Sequence, residues 1–123
     1  IADPRQLLSH PLRGALFETW VVSELAKGRS NRGLVPNLYF WRDRHGLEVD
    51  CLLDQGTALS LVEVKSGKTV PADAFNAIRS LRELAGPKHD GEDWLVYGGE
   101  RNERRSDVTV VSWQCIGELV TRV

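Results

Sequence analysis

The sequence predicts an α/β domain with a mixed central sheet of about five strands flanked by helices. Three observations lead there. An apolar stripe of helical spacing follows Arg13, three short runs of high β-propensity between positions 38 and 66 are joined by glycine-containing turns, and a second helical stripe precedes two more apolar runs. The second helix supplies a crossover long enough to lay the fourth strand parallel to the third.

Composition bounds the reading. A chain of 123 residues fits one domain, and at this size roughly two-thirds of the unfolded surface is buried on folding, so a core needs no disulfide or structural metal. Hydrophobic residues at 41% and charged residues at 27% exclude a disordered chain. No apolar run approaches the ~18 residues of a membrane span, and IADPRQLLSH lacks the apolar centre of a signal peptide. The expectation is a cytoplasmic protein without membrane contact. Cys51 and Cys115 lie far apart with no C-x-x-C spacing, which favours reduced thiols over a zinc site. The chain starts at Ile1 and contains no Met, so it is expected to be part of a longer protein. With a net charge of -1, any nucleic-acid contact has to come from a local patch, a metal or that other part.

Residues 1–12, with two prolines and little periodicity, read as a linker from a preceding region, and residues 13–123 as a single domain. Leu16, Trp20, Val21 and Leu25, with Phe17 and Val22 beside them, form the first helical stripe, which Gly28 is expected to close. A polar loop leads to LYFWR (38–42), a tight turn at Asp43 to Gly46, LEVDCLLD (47–54), the turn QGT, and LSLVEVKS (59–66): an antiparallel meander. Positions 70–86 read as the second helix, with Ala74, Phe75, Ile78, Leu81, Leu84 and Ala85 inward and Arg79 and Arg82 near its exposed side. DWLVYGG (93–99) and VTVVS (108–112) are the fourth and fifth strands, separated by the charged turn NERRSD, and WQCIGELVTRV ends the chain as a short helix or extended edge. There is no internal repeat, no Walker-type phosphate loop and no G-x-S-x-G elbow.

Glu48, Asp50, Glu63 and Lys65 interrupt the apolar runs of the second and third strands. Strand alternation places Glu48 with Asp50, and Glu63 with Lys65, on shared faces. It also groups Val49 with Cys51 and Leu53, and Val62 with Val64. A half-buried acidic face requires a partner, a proton or a metal. Mg²⁺ takes one or two protein carboxylates and completes its shell with water or phosphate, a minimum that Asp50 and Glu63 meet, with the Val64 carbonyl as a third oxygen. Lys65 would then orient or deprotonate a water. The alternative is a solvated Asp50–Lys65 cross-strand ion pair worth about 0.2–1 kcal/mol. Glu18, bordered by Phe17 and Val21, is expected near the buried stripe, where a salt bridge to an arginine would satisfy it. Glu24 reads as solvated and His45 as an exposed turn residue.

Glu18 on the first helix, Asp50 in the second strand and Glu63-Val64-Lys65 in the third resemble the PD-(D/E)xK nuclease superfamily, with its restriction-endonuclease-like fold. More closely, GALFETWVVSEL, LYFWRDRHGLEVDCLL and LSLVEVKSG are similar to the C-terminal domain of unknown function attached to many prokaryotic AAA+ ATPases. The resemblance covers roughly residues 10–85 in three ordered blocks. It implies Asp50 and Glu63, with the Val64 carbonyl, as ligands of Mg²⁺ or Mn²⁺, Lys65 as the catalytic lysine and Glu18 as the helix carboxylate completing the site. It places Glu48 outside direct ligation, toward Arg42. Val49 stands where the superfamily has a proline. The implied function is DNA phosphodiester hydrolysis beside an ATPase region of the same chain, in a monomer or homo-oligomer; inactive binding modules that regulate the ATPase share the architecture.

Overall fold

The computed structural model describes residues 12–56, 58–86, 91–105 and 107–123. Helix α1 spans Arg13–Asn31. Strands β1 (Leu38–Arg42), β2 (Glu48–Asp54) and β3 (Leu59–Lys65) follow, then α2 (Asn76–Ala85). The chain continues through β4 (Asp93–Tyr97), β5 (Glu103–Arg105) and β6 (Val108–Ser112), a 3₁₀ turn at Trp113–Cys115 and α3 (Ile116–Val120). Together they make a mixed α/β fold. The sheet order is β1-β2-β3-β4-β6-β5. β1, β2 and β3 form the antiparallel meander, whereas β3, β4 and β6 run parallel, as the α2 crossover requires.

Six strands stand where about five were expected. The added one is Glu103–Arg105, inside the run read as a charged turn, and it pairs antiparallel with β6 at the sheet edge. Its charges conceal it from a propensity reading and suit it to an edge, where they discourage pairing with another chain. The linker assigned to residues 1–12 falls outside the described residues except for Leu12.

Alternating side chains of the sheet feed two cores. On one face Val62, Val64, Trp94, Val96 and Val111 pack against Val21 and Leu25 of α1 and Leu119 of α3. On the other, Leu61, Leu95, Val108 and Val110 pack against Phe75, Ala77, Ile78 and Leu81. The second helix starts at Asn76 rather than position 70, the preceding residues forming turns, and Leu84 is 73% exposed, beyond Leu81, the last buried residue of the inward face. Arg82 also departs from expectation: it pairs with the buried Asp93 and reaches Asp107 at 3.5 Å, so it joins α2 to the sheet.

Helix α1 passes Gly28 and ends at Asn31. Gly28 is a point of close approach, because a Cβ there would collide with the Val120 side chain of α3. One residue on, the buried Arg29 donates to the Val123 and Val35 carbonyls, tying α1 to the segment after α3 and to the loop before β1. Glycine in a helix interior costs about 1 kcal/mol against alanine, a cost offset here by the packing of two helices.

Replacing Gly28 with Leu is therefore expected to lower unfolding free energy by about 1–3 kcal/mol through overpacking against Val120. Lys27→Leu, one position away on the exposed side, should stay within about 0.5 kcal/mol of the parent. Urea denaturation of both variants checks the pair; equal stability of the two would show that Gly28 marks no tight contact.

Candidate active site

The site begins with an irregularity in β2. Tyr39 lies opposite Leu52 and Trp41 opposite Val49, so two steps along β1 span three along β2. The extra residue makes a bulge, which bends a strand and re-aims its side chains. Val49 consequently packs with the α2 layer while Cys51, two positions on, packs with the α1 layer. The simple alternation expected for Val49, Cys51 and Leu53 is broken at this point. β3 has no such break, and Val62 with Val64 share one face as expected.

Pairing between β2 and β3 runs from Asp54–Leu59 to Cys51–Val62 and stops there. Beyond it the Val64 amide donates to Oδ2 of Asp50 at 2.8 Å, so a side-chain carboxylate takes the role of a ladder carbonyl. In an extended strand the N–H and C=O of one residue leave on the same edge, which directs the Val64 carbonyl toward Asp50's side as well. Glu63, only 5% exposed, meets the same carboxylate. Burial, a hydrogen bond with Asp50 and the Asp50 charge push its carboxyl up to about 9, against the pull of Lys65 and the Val64 amide. Glu63 thus keeps its proton at neutral pH against the Asp50 carboxylate.

Glu18 approaches from α1. It is half-buried, and burial followed by the Asp50 and Glu48 charges raises its carboxyl above the ordinary range, with Lys65 opposing. No arginine among the described residues pairs with it, so the salt bridge considered for Glu18 is not formed there. Nor is an Asp50–Lys65 ion pair formed: the Asp50 carboxylate is engaged by Val64 and Glu63 instead. Glu48 turns away to Arg42, its cross-strand partner, at 3.4 Å, and Glu24 is bridged by Lys27 at 3.4 Å. The turn at Asp43 is stapled by its own carboxylate, which accepts from the His45 and Leu47 amides at 2.9 Å, with Gly46 at a φ of 88°. Only the His45 backbone takes part in that turn. Cys51 is buried, and burial followed by the Asp50 charge pushes its thiol up to about 12, which keeps it protonated beside the acids.

The structure therefore brings Asp50, Glu63, Val64 and Lys65 to one place, with Glu18 in electrostatic reach. Among the described residues no group of three or more His, Cys, Asp and Glu side chains is placed to hold a metal ion. What the site offers is two carboxylates and a carbonyl. That set does not suit zinc, which wants nitrogen or sulfur cages. It would suit a hard divalent cation that keeps most of its waters, with Asp50 and Glu63 as the carboxylate donors.

Sequence reasoning missed a second feature. A cleft of about 880 Å³ opens beside the acid pair, lined by Phe17 and Trp20 of α1 and by residues directly following β3, β4 and β6, such as Ser66, Gly98 and Trp113. The available signal was positional, since in open α/β sheets ligand crevices lie outside the carboxyl ends of parallel strands. Asp50 and Glu63 do not line it; the site adjoins it through Phe17 and Ser66, the chain neighbours of Glu18 and Lys65.

Fold and site together define an α/β domain whose mixed six-stranded sheet carries a carboxylate pair and a lysine beside a strand bulge. The sequence profile of the family described as Domain of unknown function (DUF4143) matches residues 13–116, and the chain belongs to that family. No curated protein matches it.

The raised Glu63 carboxyl sets a direction for stability against pH. Its ordinary value is 4.5 and its folded value about 9, so between these limits the folded state binds the extra proton and stability falls as pH rises. In metal-free buffer, unfolding free energy from urea melts is expected to decline from pH 5 to pH 9, and Glu63→Gln, which mimics the protonated acid, should flatten that decline. A slope unchanged by the substitution would contradict the raised Glu63 carboxyl.

Proposed function

We propose that this domain is a Mg²⁺- or Mn²⁺-dependent phosphodiesterase acting on nucleic acid, of restriction-endonuclease-like type, working as the C-terminal module of an AAA+ ATPase. The observation that carries the reading is the Asp50 carboxylate, held by the Val64 amide at a strand bulge beside the buried Glu63, with Lys65 two positions from Glu63. When bound, a divalent cation supplies charge neutralisation at the phosphate and lowers the pKa of its water. Asp50 and Glu63 would hold it, with the Val64 carbonyl as a third oxygen. Asp50 remains oriented by the Val64 amide, and Glu63 gives up its proton. Lys65, which makes no salt bridge among the described residues, holds the attacking water or the phosphate oxygen. Glu18, which feels the charges of Asp50 and Lys65, would serve as the acceptor for a proton from that water.

The competing reading is a non-catalytic module that binds DNA or protein and regulates the attached ATPase, and the net charge of -1 favours it.

Calorimetric titration with Mg²⁺ or Mn²⁺ decides the site. Binding is expected in the parent and in Lys65→Ala, and to be lost in Asp50→Asn, which keeps an acceptor for the Val64 amide but removes the charge. Because binding displaces the Glu63 proton, the apparent enthalpy at pH 7 should change with the ionisation enthalpy of the buffer. Cleavage of end-labelled DNA and RNA should fall by about two to three orders of magnitude in Lys65→Ala. Equal metal binding by the parent and Asp50→Asn removes the site assignment, and metal binding with no cleavage of any substrate supports the regulatory module.

A further inference from the structure

We infer that the cleft beside the acid pair is a stacking site for an unpaired nucleotide, so that the domain takes single-stranded nucleic acid in preference to intact duplex. The inference extends the phosphodiesterase reading of the neighbouring site, but the binding step it describes stands without cleavage.

The walls are aromatic. Phe17 and Trp20 have ring centroids 6.1 Å apart, and Trp20 meets Trp113 edge-on at 6.2 Å, so the three rings form a row from α1 to the turn after β6. Trp113 is 40% exposed, leaving ring surface open to a ligand. Across from them, the Tyr97 hydroxyl donates to the Arg101 carbonyl at 2.8 Å and accepts from the Arg101 amide at 3.0 Å, which fixes the turn carrying Arg101 at the rim. The floor is bare backbone. The Gly98 amide donates to the Lys65 and Gly67 carbonyls, and a Cβ at Gly98 or Gly99 would collide with the 66–68 segment. The two glycines thus let the turn after β4 pack directly on the 66–68 segment, which fixes the backbone that lines the cleft.

The charge at the rim identifies what the flat body is attached to. Arg13, Lys68 and Arg101 line the cleft with one carboxylate, Glu100, in a chain whose net charge is -1. An apolar peptide would need the rings and not the cations. A base joined to phosphate needs both, which is how sequence-tolerant single-strand sites are built. At about 880 Å³ the cleft is large for one base and lies within the range of pockets that enclose a small ligand. The cleft is joined along the chain to two other residues of the candidate site: Phe17 precedes Glu18, and Ser66 follows Lys65. A strand whose base sits in the cleft brings its neighbouring phosphate toward Lys65. Duplex DNA keeps its bases stacked on each other and cannot enter without unpairing.

The test measures binding in EDTA, so that cleavage plays no part. Anisotropy titrations with a fluorescein-labelled dT oligonucleotide, a blunt duplex of equal length and the free nucleotide dTMP as competitor are compared for the parent, Trp113→Ala, Lys68→Ala and Asp50→Asn. Trp113 is exposed, so its replacement spares the core, and a thermal melt of each variant confirms folding. The expected result is at least tenfold tighter binding of the single strand than of duplex, a loss of about tenfold in Trp113→Ala, a smaller salt-dependent loss in Lys68→Ala, and single-strand binding retained by Asp50→Asn. Equal affinity for the two DNA forms, or single-strand binding indifferent to Trp113→Ala, overturns the inference, and competition by dTMP as effective as the oligonucleotide per molecule overturns the polynucleotide assignment. Binding that follows the expected pattern with no cleavage on adding Mg²⁺ or Mn²⁺ leaves the cleft assigned and removes only the phosphodiesterase reading.

Discussion

The hydrogen bond from the Val64 amide to the Asp50 carboxylate is the constraint on which the site depends. It ends the β2–β3 ladder without leaving the Val64 donor buried and unpaired, which would cost about 1–3 kcal/mol. It can form only because the β2 bulge shifts Asp50 out of the alternation that Cys51 and Leu53 obey. The same bulge sends Val49 into the α2 core. One inserted residue thus serves both layers: it fills a core position on one side and frees a carboxylate at the point where the strands part.

The larger plan was legible because it is written in local periodicity. Two helical stripes and three short apolar runs before the crossover specify the meander and the parallel strand that follows, and the polar interruptions at Asp50, Glu63 and Lys65 stand out against valine and leucine. The bulge was not legible, since Glu48 to Asp54 reads as uninterrupted alternation and only the register with β1 reveals the extra residue. β5 was hidden by its charges, and Gly28 was misread because its reason lies in Val120, far along the chain. The aromatic cleft was hidden for the same cause: its walls come from α1 and three strand ends that only the sheet order brings together.

Electrostatics in this domain are arranged by neighbourhood rather than by total charge. Arg42 neutralises Glu48 and Lys27 neutralises Glu24 at exposed positions, where such pairs contribute little. Arg82 with Asp93 and Asp107 fastens α2 to the sheet. Lys65 acts on the buried Glu63 and makes no salt bridge among the described residues, while the cations of the cleft gather on the side where the parallel strands end. A chain near neutrality overall therefore carries an acidic point and a basic rim on adjoining surfaces.

The Asp50–Glu63 pair also bears on how such a domain can be improved. A buried acid that must keep its proton, as Glu63 does beside the half-buried Asp50, is a poorer core than hydrocarbon of the same volume, and replacing buried polar groups with well-packed apolar ones is often neutral or stabilising. A sequence optimised for stability alone would carry leucine or valine at position 63, as it does at 61, 62 and 64. Stabilising substitutions sought at random in this protein will thus concentrate at its most chemically distinctive point, and a thermostable variant selected without a functional screen will tend to be one that has lost the pair.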